Sequence, residues 1–196
     1  GHYTPDSGEI TAFRQPLPPG KPKAAIRAGI GMVHQHFSLA PNLTVLENVM
    51  TGTESLWRPA SNARAARAKL MAISDRFGLK VDPDARLGDL SVGEQQRVEI
   101  LKALYNDARI LVLDEPTAVL TNIEAEGMFR TLKDMAAQGL SLIFISHKLD
   151  EVMATAHRIV VLRGGRVVAE RRAEATSKAE LAELMVGRAV HRPVRD

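Results

Sequence analysis

The sequence has 196 residues, 45% of them hydrophobic and 25% charged, with 26 Lys and Arg against 23 Asp and Glu and a formal charge of +3. That length supports one sizeable core, or one core with a small appended lobe. The absence of cysteine excludes a disulfide framework and a thiolate metal site, and no apolar run approaches the roughly 20 residues needed to cross a bilayer. The mild basic charge permits nucleic-acid contact without arguing for it, because the basic residues are scattered. The densest stretch, residues 58–69, reads as the solvated face of a helix. No signal peptide is visible, so a membrane role is expected to come through a partner.

In chain order, Thr4-Pro5-Asp6-Ser7-Gly8 is a turn cluster that leads into a strand-like stretch at residues 9–13; nothing here reads as a domain's first element. Residues 16–20, rich in proline, form a loop. A short helix at 23–28 precedes an apolar strand at 30–33, followed by Gln35. Thr44-Val45-Leu46-Glu47 has the form of a capping box. Ser61 begins a longer helix in which Ala66, Leu70, Ile73 and Phe77 recur at helical spacing, closed by Gly78. Residues 40–90 therefore read as an all-helical insertion.

At Leu90-Ser91-Val92-Gly93-Glu94-Gln95-Gln96-Arg97 a second capping box opens a further helix. The period then changes. Strand 110–113, helix 122–138 and strand 140–145 form a strand–helix–strand unit; its helix starts at a third box (Thr121, Glu124), buries Met128, Leu132 and Met135, and stops at Gly139. Both strands are continuous apolar runs, as expected where helices cover both faces of a parallel sheet. A helix at 149–156, a strand at 158–162, a Gly164-Gly165 hairpin turn into 166–170, and a boxed helix at 177–185 (Ser177, Glu180) complete the pattern. The polar residues 187–196 read as a linker. There are no internal repeats. The fold class is α/β, divided into 1–39 and 107–186 as parts of one α/β core, 40–106 as a helical subdomain, and the tail.

Several residues in this layout suit chemistry. Ser91, Gly93 and Glu94 start a helix whose free N–H groups favour an anion, most simply a phosphate. Taken alone, the box is an ordinary helix start. Gly93, however, costs the first turn about 1 kcal/mol relative to alanine, which close approach of another molecule to the backbone would explain. Asp114 and Glu115 end a buried strand, where a pair of charges is expensive unless used. Asp114 suits a magnesium ion and Glu115 suits polarising a water; a solvated turn before Pro116 is the plainer reading. His147, after the second strand, is expected on the same edge as a γ-phosphate contact. Gln35, also at a strand end, could touch both magnesium and the attacking water. His34 and His36 flank it, but no third ligand stands at a matching spacing for a metal site.

With Gln35, Leu90-Ser91-Val92-Gly93-Glu94-Gln95, residues 110–115, Pro116-Thr117-Ala118 and His147 in this order, the sequence resembles an ABC-transporter ATPase cassette. The segments are similar to its Q-loop, signature, Walker B with catalytic glutamate, D-loop and H-loop. Gly31-Met32-Val33-His34-Gln35-His36-Phe37, Asn42-Leu43-Thr44-Val45-Leu46-Glu47-Asn48-Val49 and Asp114-Glu115-Pro116-Thr117-Ala118-Val119-Leu120-Thr121 look like the first cassette of double-cassette importers for nucleosides or simple sugars. The resemblance implies a P-loop NTPase-like parallel sheet with an all-helical signature subdomain. It also implies ATP and Mg2+ as ligands, with catalytic Glu115, His147 and Gln35. The nucleotide contacts would be Ser91, Gly93, Glu94, Asp114 and Gln35, and the metal contacts Asp114 and Gln35. The implied partners are a second cassette, transmembrane permease subunits and, indirectly, a substrate-binding protein, at the cytoplasmic face of the plasma (inner) membrane; no nucleic acid is expected.

Val92 stands where the commonest signature has a second glycine, and Thr121 where the D-loop usually has aspartate; both look like marks of the sugar and nucleoside subgroup. The larger departure is that no G-x-x-x-x-G-K-[ST] occurs in the sequence. The family places that P-loop just upstream of residues like 4–10, so the chain is expected to be truncated after it. The strand that carries it would belong between residues 142–145 and 159–162. A fragment lacking it is expected neither to bind ATP tightly nor to hydrolyse it. Competing expectations are a non-transport relative acting on ribosomes or DNA, and a non-catalytic interaction fragment.

Overall fold

The computed structural model describes residues 3–34, 38–51 and 63–187, and the chain divides into two units, Gly1–Ile145 and Ser146–Asp196. The expected strand at 9–13 is instead a minimal hairpin, β1 (Thr11–Ala12) paired antiparallel with β2 (Gln15–Pro16). Phe13 and Arg14 interrupt it at φ 52° and 65°, the left-handed turn geometry that joins two short strands. Helix α1 (Pro22–Arg27) follows, with proline in its first turn, and leads into β3 (Ile30–Val33).

Next come α2 (Val45–Met50), α3 (Ala63–Phe77), a 3-10 turn (Leu87–Asp89), α4 (Val92–Tyr105), β4 (Ile110–Asp114), α5 (Asn122–Ala137) and β5 (Ser141–Ile145). The expected start of α3 at Ser61 lies outside the described residues. Between α2 and α3, described structure resumes at Ala63. Asn48, a buried residue of α2, donates to the Ala40 and Thr44 carbonyls, both at 3.0 Å, and accepts the Ala40 N–H at 2.8 Å. This fixes residues 40–44 against residues 86–88, whose Leu87 and Gly88 N–H groups donate to Leu43 and Pro41. The approach to Ser91 is thereby set.

Strands β3, β4 and β5 form a parallel sheet in that order, with Val33, Leu113 and Phe144 in one row and Asp114 opposite Ile145. Val33, Leu111 and Leu113 are fully buried on one face, in a core shared with Val98, Leu101 and Leu104 of α4 and Met128, Leu132 and Met135 of α5. Gly31 lets α4 seat on β3, since a Cβ there would stand 2.9 Å from Ala103 Cβ. The same core takes in Val45, Val49, Leu70 and Leu87, so the helical region and the sheet are packed as one. The opposite sheet face corrects the expectation of helices on both sides. There Met32, Ile143 and Ile145 remain 45%, 54% and 51% exposed, and no described helix of this unit covers them.

In the second unit, α6 (Leu149–Thr155) is followed by β6 (Arg158–Arg163), β7 (Arg166–Arg172), a 3-10 turn (Ala173–Ala175) and α7 (Lys178–Val186). The β6–β7 pair is antiparallel, turning at Gly164 and Gly165 with φ 57° and 73°, as the glycine pair predicts. Ile159, Val161 and Leu181 form its core. The box expected at Ser177 is half made: Ser177 accepts the Glu180 N–H at 3.2 Å, but the Glu180 carboxylate goes to Arg171 and Thr176, both at 2.7 Å. Glycine in the left-handed region at Gly187 ends α7, and the expected linker beyond it lies outside the described residues.

Candidate functional site

The start of α4 is a complete capping box. The Glu94 N–H donates to Ser91 Oγ at 3.4 Å, while the Ser91 hydroxyl and N–H donate to Glu94 Oε2 at 2.8 and 2.9 Å. Those bonds hold the Glu94 carboxyl below the usual glutamate range, the Ser91 hydroxyl contributing most and the Arg97 charge least. The N–H groups of Val92 and Gly93, in the first turn of α4, make no backbone hydrogen bond outside the helix among the described residues and lie at the helix's positive end. Gly93 is buried, and its close neighbour is within the chain: a Cβ would meet Glu124 Oε1 at 3.2 Å. The glycine therefore also admits the start of α5, where Thr121 and Glu124 form their own box. An anion arriving here faces two carboxylates, offset by Arg97, which lowers the pKa of both.

Strand β4 carries Asp114 as its last residue. Glu115 turns the chain at φ 46°, with its N–H donating to the Ile145 carbonyl at 2.9 Å and its carbonyl accepting from Ala118 at 3.1 Å. A non-glycine residue in the left-handed region stores strain that the surroundings must hold. Among those surroundings are Thr117, 2% exposed, and the Gln96 amide, which donates to the Pro116 carbonyl.

The first unit thus carries five of the expected site residues on two elements: Ser91, Gly93 and Glu94 at the head of α4, and Asp114 and Glu115 at the carboxyl end of β4. Open α/β sheets bind ligands at such an edge. Gln35, expected to contribute here, lies outside the described residues, as does His36. His147 belongs to the second unit, two residues past Ile145 in the chain. No group of three His, Cys, Asp or Glu side chains converges among the described residues. Asp114 offers a single carboxylate at the strand end, a donor type that Mg2+ takes together with waters and phosphate oxygens.

The sequence reading gives no role to Gln96 or Glu99. Glu99 is 6% exposed, and its Oε1 accepts the Ser38 N–H at 2.6 Å. Gln96 had a legible signal: Gly93, Gln96, Ile100 and Leu104 recur at helical spacing, so a polar residue occupies the buried stripe.

The sequence profile of the ABC transporter family matches residues 1–118, and the chain belongs to that family. It is 44% identical to the glucose import ATP-binding protein TsgD13 of Haloferax volcanii, covering 97% of this chain and 40% of that protein. It is 45% identical to the nucleoside import ATP-binding protein NupA of Lactococcus lactis subsp. cremoris (97% and 38%). Against the ribose import ATP-binding protein RbsA 3 of Rubrobacter xylanophilus it is 43% identical (95% and 38%). The chain thus spans about two fifths of the length of these relatives. Among solved structures, MJ1267, an ATP-binding cassette of an ABC transporter in its ADP conformation, superposes with a TM-score of 0.78 at 26% identity, over 93% of this chain and 78% of that one. The dimeric cassette MJ0796 bound to ADP and Pi gives 0.71 at 27% identity, over 87% and 75%. The α/β architecture is therefore that of an ABC cassette. No helix among the described residues is long and apolar enough to cross a membrane.

Proposed function

We propose that these residues form most of one ATP-hydrolysing cassette of an importer for nucleosides or simple sugars. The observation that supports this best is the joining, through α4, of an anion-ready helix start at Ser91 to the carboxylate pair Asp114–Glu115. Glu115 takes the proton of a water as its oxygen attacks the γ-phosphorus, and ADP leaves with the bridging oxygen. Asp114 and Gln35 would hold Mg2+, which would offset charge on the phosphates. His147 contacts the γ-phosphate. Ser91 and Gly93 present N–H and hydroxyl groups to an ATP held by a second cassette. Glu94 shapes that site through Ser91, its carboxylate being already bonded there.

No P-loop sequence occurs in the 196 residues, so the cradle for the β- and γ-phosphates comes from residues outside them. The open edge of β5 and the bare face of Met32, Ile143 and Ile145 suit the strand and helix that would carry it. Permease subunits would receive the closure motion through the Q-loop and helical region, at the cytoplasmic face of the membrane, with a binding protein delivering substrate. The relatives' names, which specify glucose, nucleoside and ribose import, support the substrate class without choosing within it. The test is uptake of labelled ribose, glucose and nucleoside by vesicles holding the full-length protein and its membrane subunits. Uptake of one of these, lost with Glu115→Gln, is expected; uptake of none, or uptake indifferent to Glu115, would reject the reading.

A further inference from the structure

Gln96 is 3% exposed on the core side of α4. Its Nε2 donates to the Pro116 carbonyl, whereas its Oε1 is buried with no partner among the described residues. Methionine or leucine would fill this space without an orphan oxygen, so packing alone does not account for a glutamine. The Pro116 contact does. Pro116 directly follows Glu115, whose left-handed backbone is held on one side by Ile145 and closed on the other by Ala118. Gln96 supplies a further hold on that turn, from a different element.

Helix α4 runs without interruption from its Ser91 cap, and Ser91 and Gln96 are about 7.5 Å apart along its axis. A displacement at the Ser91 end therefore reaches Pro116 through one rigid turn and a half. Glu99, three residues on from Gln96, makes the parallel connection to Ser38, after β3. The buried face of α4 thus ties the loops that follow two neighbouring strands.

We propose that Gln96 is a positioning residue: it carries engagement of Ser91 by the partner cassette's nucleotide to the Glu115 turn, so that one site's occupancy sets the other site's carboxylate. This rests on the function proposed above. The coupling would make each hydrolytic centre responsive to the nucleotide bound opposite, with no ligand contact by Gln96 itself.

The test uses the full-length protein encoded by the gene that carries this segment, assayed for Mg-ATP turnover as wild type, Glu115→Gln and Gln96→Met. Gln96→Met keeps the bulk and removes the donor. It is expected to lower kcat by roughly 10- to 100-fold, with KM for ATP changed less than about 2-fold and a thermal midpoint within about 3 °C of wild type. Wild-type kcat in Gln96→Met, beside a dead Glu115→Gln, would overturn the positioning role and leave the proposed function standing. Parallel falls in kcat, 1/KM and thermal midpoint would assign Gln96 to structure alone and overturn it too. No turnover in the wild type, or turnover indifferent to Glu115→Gln, would overturn both. Hydrogen exchange of the wild-type protein needs no variant: a non-hydrolysable ATP analogue is expected to protect the Glu115 and Ala118 amides together with those of Val92 and Gly93. Protection confined to Val92 and Gly93 would contradict the coupling.

Discussion

The Glu115 N–H donates to the Ile145 carbonyl at 2.9 Å while Glu115 itself stands at φ 46°. The sheet's edge strand therefore holds, in a conformation L-residues avoid, the residue proposed above as the base. Glycine at this position relieves a left-handed cost of about 1–2 kcal/mol but adds freedom to the unfolded chain, leaving a net gain of roughly 0.5–1 kcal/mol. Glu115→Gly is expected to raise the urea midpoint of the full-length protein and to abolish its ATP turnover. A lower midpoint would show that the turn is not strained.

Gly93→Ala separates helix formation from ligand approach. Alanine favours the helix by about 1 kcal/mol, yet its Cβ would lie 3.2 Å from Glu124 Oε1, at the end of a side chain bound to Thr121. The two effects nearly cancel, so the thermal midpoint is expected to stay within about 4 °C of wild type. Under the proposed function, which brings phosphate close to this backbone, turnover should fall at least about 10-fold. Unchanged turnover would remove Gly93 from the nucleotide site.

Gly31→Ala tests how α4 is seated. The added Cβ would approach Ala103 Cβ to 2.9 Å and Ala108 Cβ to 3.1 Å, and both neighbours are short side chains with nowhere to retreat. Overpacking of this kind costs about 1–3 kcal/mol, measurable as a lower urea midpoint. A neutral result would mean that β3 and α4 are free to separate.

The three complete boxes at Thr44, Ser91 and Thr121 predict an acid dependence. The Glu47 and Glu124 carboxyls are held low chiefly by the N–H groups of Thr44 and Thr121, and the Glu94 carboxyl chiefly by the Ser91 hydroxyl. Folded values below the ordinary 4.5 mean that the unfolded chain binds protons first. The contribution to stability is therefore full above that value and is lost as pH falls through the lower folded value. Denaturation midpoints measured from pH 6 to pH 3 should fall with acid, less steeply in Glu94→Gln. Equal slopes would remove the box from the acid response.

These cases show why part of the molecule was legible in sequence. Thr44, Ser91 and Thr121, each followed three residues later by glutamate, carry their capping geometry locally, and apolar stretches such as residues 110–113 carry their strand character in the run itself. The bare face of Met32, Ile143 and Ile145 was not legible, because an apolar run looks the same whether one or both faces are covered. Nor was the half-made box at Ser177: Glu180 is taken by Arg171, nine residues away on a strand. The Ser91 and Asp114–Glu115 motifs could be read from residue type and order. Gln96 and Glu99 could not be given roles, since each acts on a backbone group, at Pro116 or Ser38, that only folding brings near.

As proposed, these residues hold the signature and the hydrolytic carboxylate of an ATP site but not its phosphate cradle. This is tested most directly by Mg-ATP turnover of the 196-residue chain beside the full-length protein, each as wild type and Glu115→Gln. Turnover is expected in the full-length wild type alone. Turnover by the 196-residue chain that Glu115→Gln abolishes would contradict it.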